Sequence, residues 1–211
     1  MVALEHRRYI TPEEYLEQER DAECKSEYDD GVIVAMAGGS PEHAIVTFNV
    51  GVAIAPHLRR SGCQGYSSDM RVRIEIANRY YYPDFTAVCG QPAYQKVRRT
   101  VNLANPTLVV EVLSQSSERR DRGTKWFAYQ TLASMQVYVL VHQDNPFVEW
   151  FTRGRDDDSW EYRSARGLGA TAVVHLAGSP CELPLRDIYT GVEFPPEEPA
   201  QPEVGPDGED V

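Results

Sequence analysis

Two nearly unbroken apolar runs, LVVEVL at Leu108–Leu113 and VYVLV at residues 137–141, flank a stretch of helical character from about residue 118 to 133. Strand, helix and strand in that order make a β-α-β unit, whose strands are parallel and whose crossover is right-handed. Strands with so little polar alternation are covered on both faces. The unit therefore predicts a sheet at the centre of an α/β (α+β) domain, with helices packed against it. One residue breaks the pattern. Glu111 stands in mid-strand, on the same face as Val109 and Leu113.

A second acid interrupts a similar run. YYYPDFTAV, residues 80–88, reads as a strand from Tyr81 to Val88 carrying Asp84 directly after Pro83. Proline cannot donate to a ladder and belongs at an edge, a bulge or a strand start, so Asp84 is expected beside an open rim. A lone carboxylate in an apolar run needs a cation or donor; without one its pKa shifts and it becomes neutral. The helix after the Glu111 strand places Asp121, Lys125 and Tyr129 along one stripe at steps of four. The cation near the two acids is Lys125, a bound metal, or both. Carboxylates plus water suit Mg²⁺, a hard ion that keeps part of its hydration shell. An acid in an apolar strand is more often a structural ion-pair member, so both readings stand at this point.

Elsewhere the chain is punctuated clearly. Thr11-Pro12-Glu13-Glu14 is a capping-box helix start, with the helix expected to about Asp21. Asp29-Asp30-Gly31 turns a hairpin that returns through residues 32–36. Ser40 caps a second helix whose apolar positions are read as Ile45, Phe48, Val52 and the stretch to Leu58. Short strands are expected at 63–67, 70–76, 81–88 and 108–113, then an antiparallel meander at 147–152, 160–164 and 171–176. No linker separates two cores, so residues 1–194 read as a single domain. Residues 195–211 (PPEEPAQPEVGPDGEDV) read as an acidic, proline-rich disordered tail.

The net charge of -11 disfavours a polyanionic partner. Its distribution softens the point, because the tail holds -6 and residues 1–194 only -5. From Lys96 to Lys125 the sign reverses to a local +4, through Arg98, Arg99, Arg119, Arg120 and Arg122. Such a run is a solvated face or a contact surface. No apolar run reaches bilayer length and the N-terminus lacks the features of a secretory signal, so a cytoplasmic chain with no membrane contact is expected. The scattered Cys24, Cys63, Cys89 and Cys181 fit free thiols better than a disulfide frame or a zinc site.

Taken together, Pro83-Asp84, Glu111-Val112-Leu113-Ser114, and Asp121, Lys125 and Tyr129 resemble the Uma-type group of restriction endonucleases within the PD-(D/E)XK nuclease superfamily. The similarity extends upstream to Glu27-Tyr28-Asp29-Asp30-Gly31 and to Gly39-Ser40 with His43, and covers roughly residues 11 to 142. The usual superfamily lysine, two positions after the glutamate, falls at Leu113; in this group it has moved to the following helix, here Lys125. Gln115 and His142 stand where the group often has Pro and Asp.

The resemblance implies a restriction-endonuclease-like core, a mixed sheet flanked by helices, and Mg²⁺-dependent hydrolysis of DNA. In that reading Asp84, Glu111 and the Val112 carbonyl hold one or two Mg²⁺ ions, or Mn²⁺ in their place, and Lys125 orients the attacking water. Glu27 is an auxiliary ligand or a partner for Lys125. His43 is a hydrogen-bonding support rather than a base, and Asp121 and Tyr129 support the site. Asp84, Glu111 and Lys125 are expected to converge on one open pocket, in a chain that can form a homodimer. The competing reading is a non-catalytic interaction protein that keeps the nuclease fold while the same charges form only a buried ion network.

Overall fold

Thr11 and Glu14 close a reciprocal capping box and Pro12 opens the first turn, so α1 (Pro12–Arg20) begins where the sequence predicts. Asp30 (φ 40°) and Gly31 (φ 96°) then return β1 (Ser26–Asp29) into β2 (Val32–Ala35). Left-handed backbone at both turn positions matches the twist of a tight hairpin. Ser40 caps α2 (Pro41–Ser61), which Gly62 ends at φ 67°. The computed structural model describes residues 8–156 and 159–194.

The central sheet runs in the order β12-β11-β10-β9-β6-β3. Its strands are β3 (Cys63–Ser67), β6 (Phe85–Cys89), β9 (Leu108–Leu113), β10 (Val137–His142), β11 (Phe147–Arg153) and β12 (Trp160–Arg166). β9 and β10 are parallel, with Glu111 opposite Leu140, and the other pairs are antiparallel. The expected β-α-β unit is present. All six residues of β9 are buried, as its apolar character requires. Its even residues Leu108, Val110 and Val112 pack into the core beneath α2, and its odd residues Val109 and Leu113 pack with Ala128 and Tyr129.

A second six-stranded sheet, β2-β1-β5-β4-β8-β7, joins that odd face through Val72, Ile74, Tyr81 and Leu103. It adds β4 (Val72–Ile74), β5 (Arg79–Tyr81), β7 (Tyr94–Val97) and β8 (Thr100–Leu103). α1 covers it through a cluster of Tyr15, Leu16, Tyr28 and Tyr80. The crossover helix is built in three pieces: α3 (Glu118–Arg120), a wide π-helical turn (Asp121–Lys125) and α4 (Trp126–Gln130). A hairpin of β13 (Thr171–Leu176) and β14 (Ser179–Pro184) and a short α5 (Leu185–Ile188) close the core on the α2 side.

Several expectations are corrected. Residues 81–88 do not form one strand: β5 and β6 belong to different sheets, and Tyr82-Pro83-Asp84 connects them. Proline ends the ladder there, and the chain uses the break to change sheets. The buried stripe of α2 is Val46, Val50, Ile54, His57 and Leu58, whereas Phe48 is 71% exposed and Val52 is 56% exposed. That helix carries apolar residues on more than one face, so periodicity alone picked the wrong stripe. β13 pairs with β14 rather than continuing the β11–β12 meander.

Cys63 and Cys89 are not free thiols. They are register partners across β3 and β6, with Cα atoms 4.2 Å apart, and form a disulfide that closes a separation of 26 residues. A loop of that length is worth roughly 3 to 4 kcal/mol through its restraint of the unfolded chain. The pairing is set by sheet register, which no spacing motif records. Cys24 and Cys181 remain as free thiols among the described residues. No helix among those residues is long and apolar enough to cross a membrane. The tail read at residues 195–211 lies outside them.

Candidate active site

Glu111 projects from the odd face of β9, and the stripe 121, 125, 129 of the crossover helix comes down on it. The Lys125 ammonium lies 3.1 Å from Glu111 Oε1, 3.2 Å from Glu27 Oε1 and 3.1 Å from Asp121 Oδ1. The Tyr129 hydroxyl donates to the same Glu111 oxygen at 3.5 Å. The cluster is sealed, with Glu111 2% exposed and Lys125 6% exposed. The π-helical turn spans Asp121 and Lys125, so both reach the cluster from one widened turn, a distortion often found at functional sites.

Glu27 joins the cluster from β1. Its Oε2 pairs with Arg120, and its Oε1 also accepts the Tyr82 backbone N–H at 3.0 Å. That contact fixes the crossover immediately before Pro83-Asp84. Asp84 then accepts the Val112 N–H on Oδ2 at 2.6 Å, beside Glu111 in the chain. His43, at the first turn of α2, approaches the same oxygen at 3.4 Å. Gly39 makes room for it, since a Cβ there would stand 2.9 Å from His43 Nδ1.

Asp84 and His43 line a cleft of about 820 Å³ along α2, together with Phe48, Val52, Tyr66 and Phe85. Glu111 and Lys125 are not part of its lining. The expectation of one open pocket shared by all three is therefore corrected. The structure has an open half, Asp84 with His43, and a sealed half, Glu111 with Lys125, Glu27, Asp121 and Tyr129. They are joined through the Val112 amide. They lie near enough that Asp84 acts on the Glu111 carboxyl and Asp121 on His43.

Charge is unequal across the cluster. Glu27, Asp84, Glu111 and Asp121 supply four carboxylates against the two permanent cations Lys125 and Arg120. Burial pushes the Glu111 carboxyl well above the usual carboxylate range; Lys125 opposes this, and Asp121, Asp84 and Glu27 add to it. Burial alone would lower Lys125, but Glu111, Glu27 and Asp121 reverse the sign and hold the ammonium well above its ordinary range. The hydrogen bond to Asp84 raises His43 against the effect of its burial, and the Val112 backbone helps.

No group of three or more His, Cys, Asp and Glu side chains among the described residues is arranged to hold a metal ion. The donor chemistry nonetheless fits a hard divalent cation. The surplus of two carboxylates equals the charge of one such ion, and all donors are oxygens. Both hydrogen bonds to Glu111 fall on Oε1, so Oε2 has no protein donor among the described residues.

Sequence reasoning missed Arg120 as the second cation of the cluster and the Tyr82 amide as its anchor. The basic stretch held the signal for Arg120, but pairing with Glu27 needs the β1 placement. It also missed a neighbouring network, in which Glu149 of β11 binds Arg122, His142 at 2.9 Å and Tyr162 at 2.8 Å.

The sequence matches the profile of the Uma2 family, described as "Putative restriction endonuclease", over residues 12–185. It is 35% identical over 185 residues to an uncharacterized protein of Synechocystis sp., covering 88% of this chain and 94% of the relative. A second uncharacterized Synechocystis protein is 32% identical over 143 residues, covering 68% of this chain and 80% of the relative. A crystal structure described as "a putative nuclease belonging to DUF820", from Anabaena variabilis, superposes with a TM-score of 0.66 at 17% identity. It covers 86% of this chain and 98% of that one. At this identity the likeness is one of fold, and the mixed sheet flanked by helices is a restriction-endonuclease-like fold.

Proposed function

Because the chain belongs to the Uma2 restriction-endonuclease family, we propose that it hydrolyses DNA phosphodiester bonds with the help of Mg²⁺. The observation that carries this reading is the crowding of Glu27, Glu111 and Asp121 around Lys125 and Arg120, with a fourth carboxylate, Asp84, held on the Val112 amide beside them and facing an open cleft. In this reading Asp84, Glu111 Oε2 and the Val112 carbonyl hold the ion. When bound, the ion lowers the pKa of its water and offsets charge on the reacting phosphate.

The chain's own residues do the rest. Lys125 stays protonated because three carboxylates surround it, and its fixed ammonium orients water and screens phosphate charge. His43 holds the Asp84 carboxylate and is a positioning residue. Glu27 ties Lys125 to Arg120 and clamps the crossover that presents Asp84. Tyr129 and Asp121 hold the sealed side.

The sealing of Glu111 and Lys125 favours a second reading, in which the cluster is a structural ion network in a protein that binds without cutting. A plasmid nicking assay separates them. Wild type should convert supercoiled DNA to the open circle with Mg²⁺ or Mn²⁺ and not with EDTA, and Asp84→Asn should abolish conversion. No conversion with either ion would reject the enzyme reading.

A further inference from the structure

The crossover helix also borders a recess of about 620 Å³, which Lys125 does not line and which shares only Arg120 with the site described above. Arg79, Arg119 and Arg120 line it, with the hydroxyl residues Ser116 and Thr124 and the ring of Phe127, which is 67% exposed. No carboxylate belongs to the lining. A second concavity also gathers three arginines, Arg20, Arg98 and Arg99, but sets them against Glu13 and Glu17.

The three arginines of the recess are held differently. Arg79 is anchored from behind by Asp29, and Arg120 by Glu27, with Asp29 a further 3.7 Å from its Nη2. Arg120 Nη2 is itself buried behind the recess and has no hydrogen-bond partner among the described residues. Arg119 is exposed and has no ion pair among those residues, so its whole fork is available. Two positioned guanidiniums, one free guanidinium and two hydroxyls suit a tetrahedral oxyanion, which accepts several N–H and O–H donors at once. A carboxylate would leave part of that donor set unused. Phe127 at the mouth offers a flat apolar face of the kind on which a base stacks.

We propose that this recess binds a phosphate group of a polynucleotide strand at a distance from the bond to be cut, so that Arg119, Arg79 and Arg120 set the register of the strand on the enzyme. The assignment rests on the nucleic-acid reading above. Arg120 connects the two places, because the same side chain lines the recess and pairs with Glu27 of the Lys125 cluster. Phosphate contacts of this kind position a strand without reading its sequence.

The test uses the full chain with Ca²⁺ in place of Mg²⁺ and a fluorescent single-stranded oligonucleotide, made with a 5′-hydroxyl or a 5′-phosphate. Anisotropy titrations at several salt concentrations are compared for wild type, Arg119→Gln, and Arg163→Gln as a control on β12, where the arginine pairs with Glu161. Arg119→Gln should weaken binding several-fold and lower the slope of log K against log salt by about 0.7, the value for one lost phosphate contact on a single strand. Arg163→Gln should leave the slope unchanged. A loss seen with both oligonucleotides identifies a backbone phosphate, and a loss confined to the 5′-phosphate form identifies a terminal one. If wild type binds and Arg119→Gln binds with the same affinity and slope, the recess assignment falls while the nuclease reading stands. If wild type binds neither oligonucleotide, both fall.

Discussion

Glu111 and Glu149 occupy the same level of the central sheet, each in register with Leu140 between them, and each takes a cation from the same turn of the crossover helix. Both side chains are almost fully buried. Their electrostatics diverge. Burial would raise Glu149, but His142, Arg122 and Tyr162 all bond to its carboxylate and bring its pKa down to about 2. Burial pushes Glu111 up; it shares its one lysine with Glu27 and Asp121, and Asp121, Asp84 and Glu27 add to the rise. Burial acts on both acids, and only at Glu149 do its own donors outweigh it. A carboxylate with its own cation and donors is part of the frame, while one in a crowd of acids is short of positive charge.

The comparison can be broken at its cations first. Lys125→Met leaves Glu27, Glu111 and Asp121 buried without their shared partner and should lower unfolding free energy by about 3 to 5 kcal/mol in urea titrations. A loss below about 1 kcal/mol would mean that the cluster does not depend on the ammonium. Next in size, Glu149→Gln should cost about 1.5 to 3 kcal/mol at pH 7 through its charged hydrogen bonds. Because the folded-state pKa of Glu149 is depressed, this contribution is present above the ordinary glutamate pKa and fades as the pH falls toward about 2. Melting curves of wild type and variant should therefore converge near that pH. A gap that persists there would show that packing, not charge, makes the difference.

The smallest effect belongs to Tyr129→Phe. Its hydroxyl meets Glu111 at 3.5 Å, a long contact, so the loss should be about 0.5 to 1 kcal/mol by the same titrations. A cost as large as that of Lys125→Met would make the tyrosine a principal support of Glu111 and would upset the ranking of partners.

Much of this arrangement was readable before any coordinates. The β9–β10 unit announced itself through unbroken apolar runs, and the 121, 125, 129 stripe pointed inward because helical spacing is a local property. Glu27 and His43 were traced by resemblance, not by physics. What stayed hidden depends on contacts distant in sequence. The Cys63–Cys89 bond follows from β3–β6 register, and Arg120 finds Glu27 across a separation of 93 residues. The Pro83-Asp84 junction could be read as a ladder break but not as a change of sheets, which is what brings Asp84 to His43 of α2 and to the Val112 amide. Exposed Phe48 and Val52 misled because burial is set by what packs against a helix.

Counted with the adjoining Asp84, the acids around Lys125 and Arg120 lack the charge of a divalent cation. Thermal melting of wild type and Glu111→Gln, each with EDTA and with Mg²⁺, tests this claim most directly. Glutamine keeps the shape and removes one negative charge. Without the ion the variant should be at least as stable as wild type, and Mg²⁺ should raise the Tm of wild type by mass action and that of the variant by less. A variant less stable than wild type in both buffers, with neither protein responding to Mg²⁺, would contradict the account and leave Glu111 as a counter-ion for Lys125.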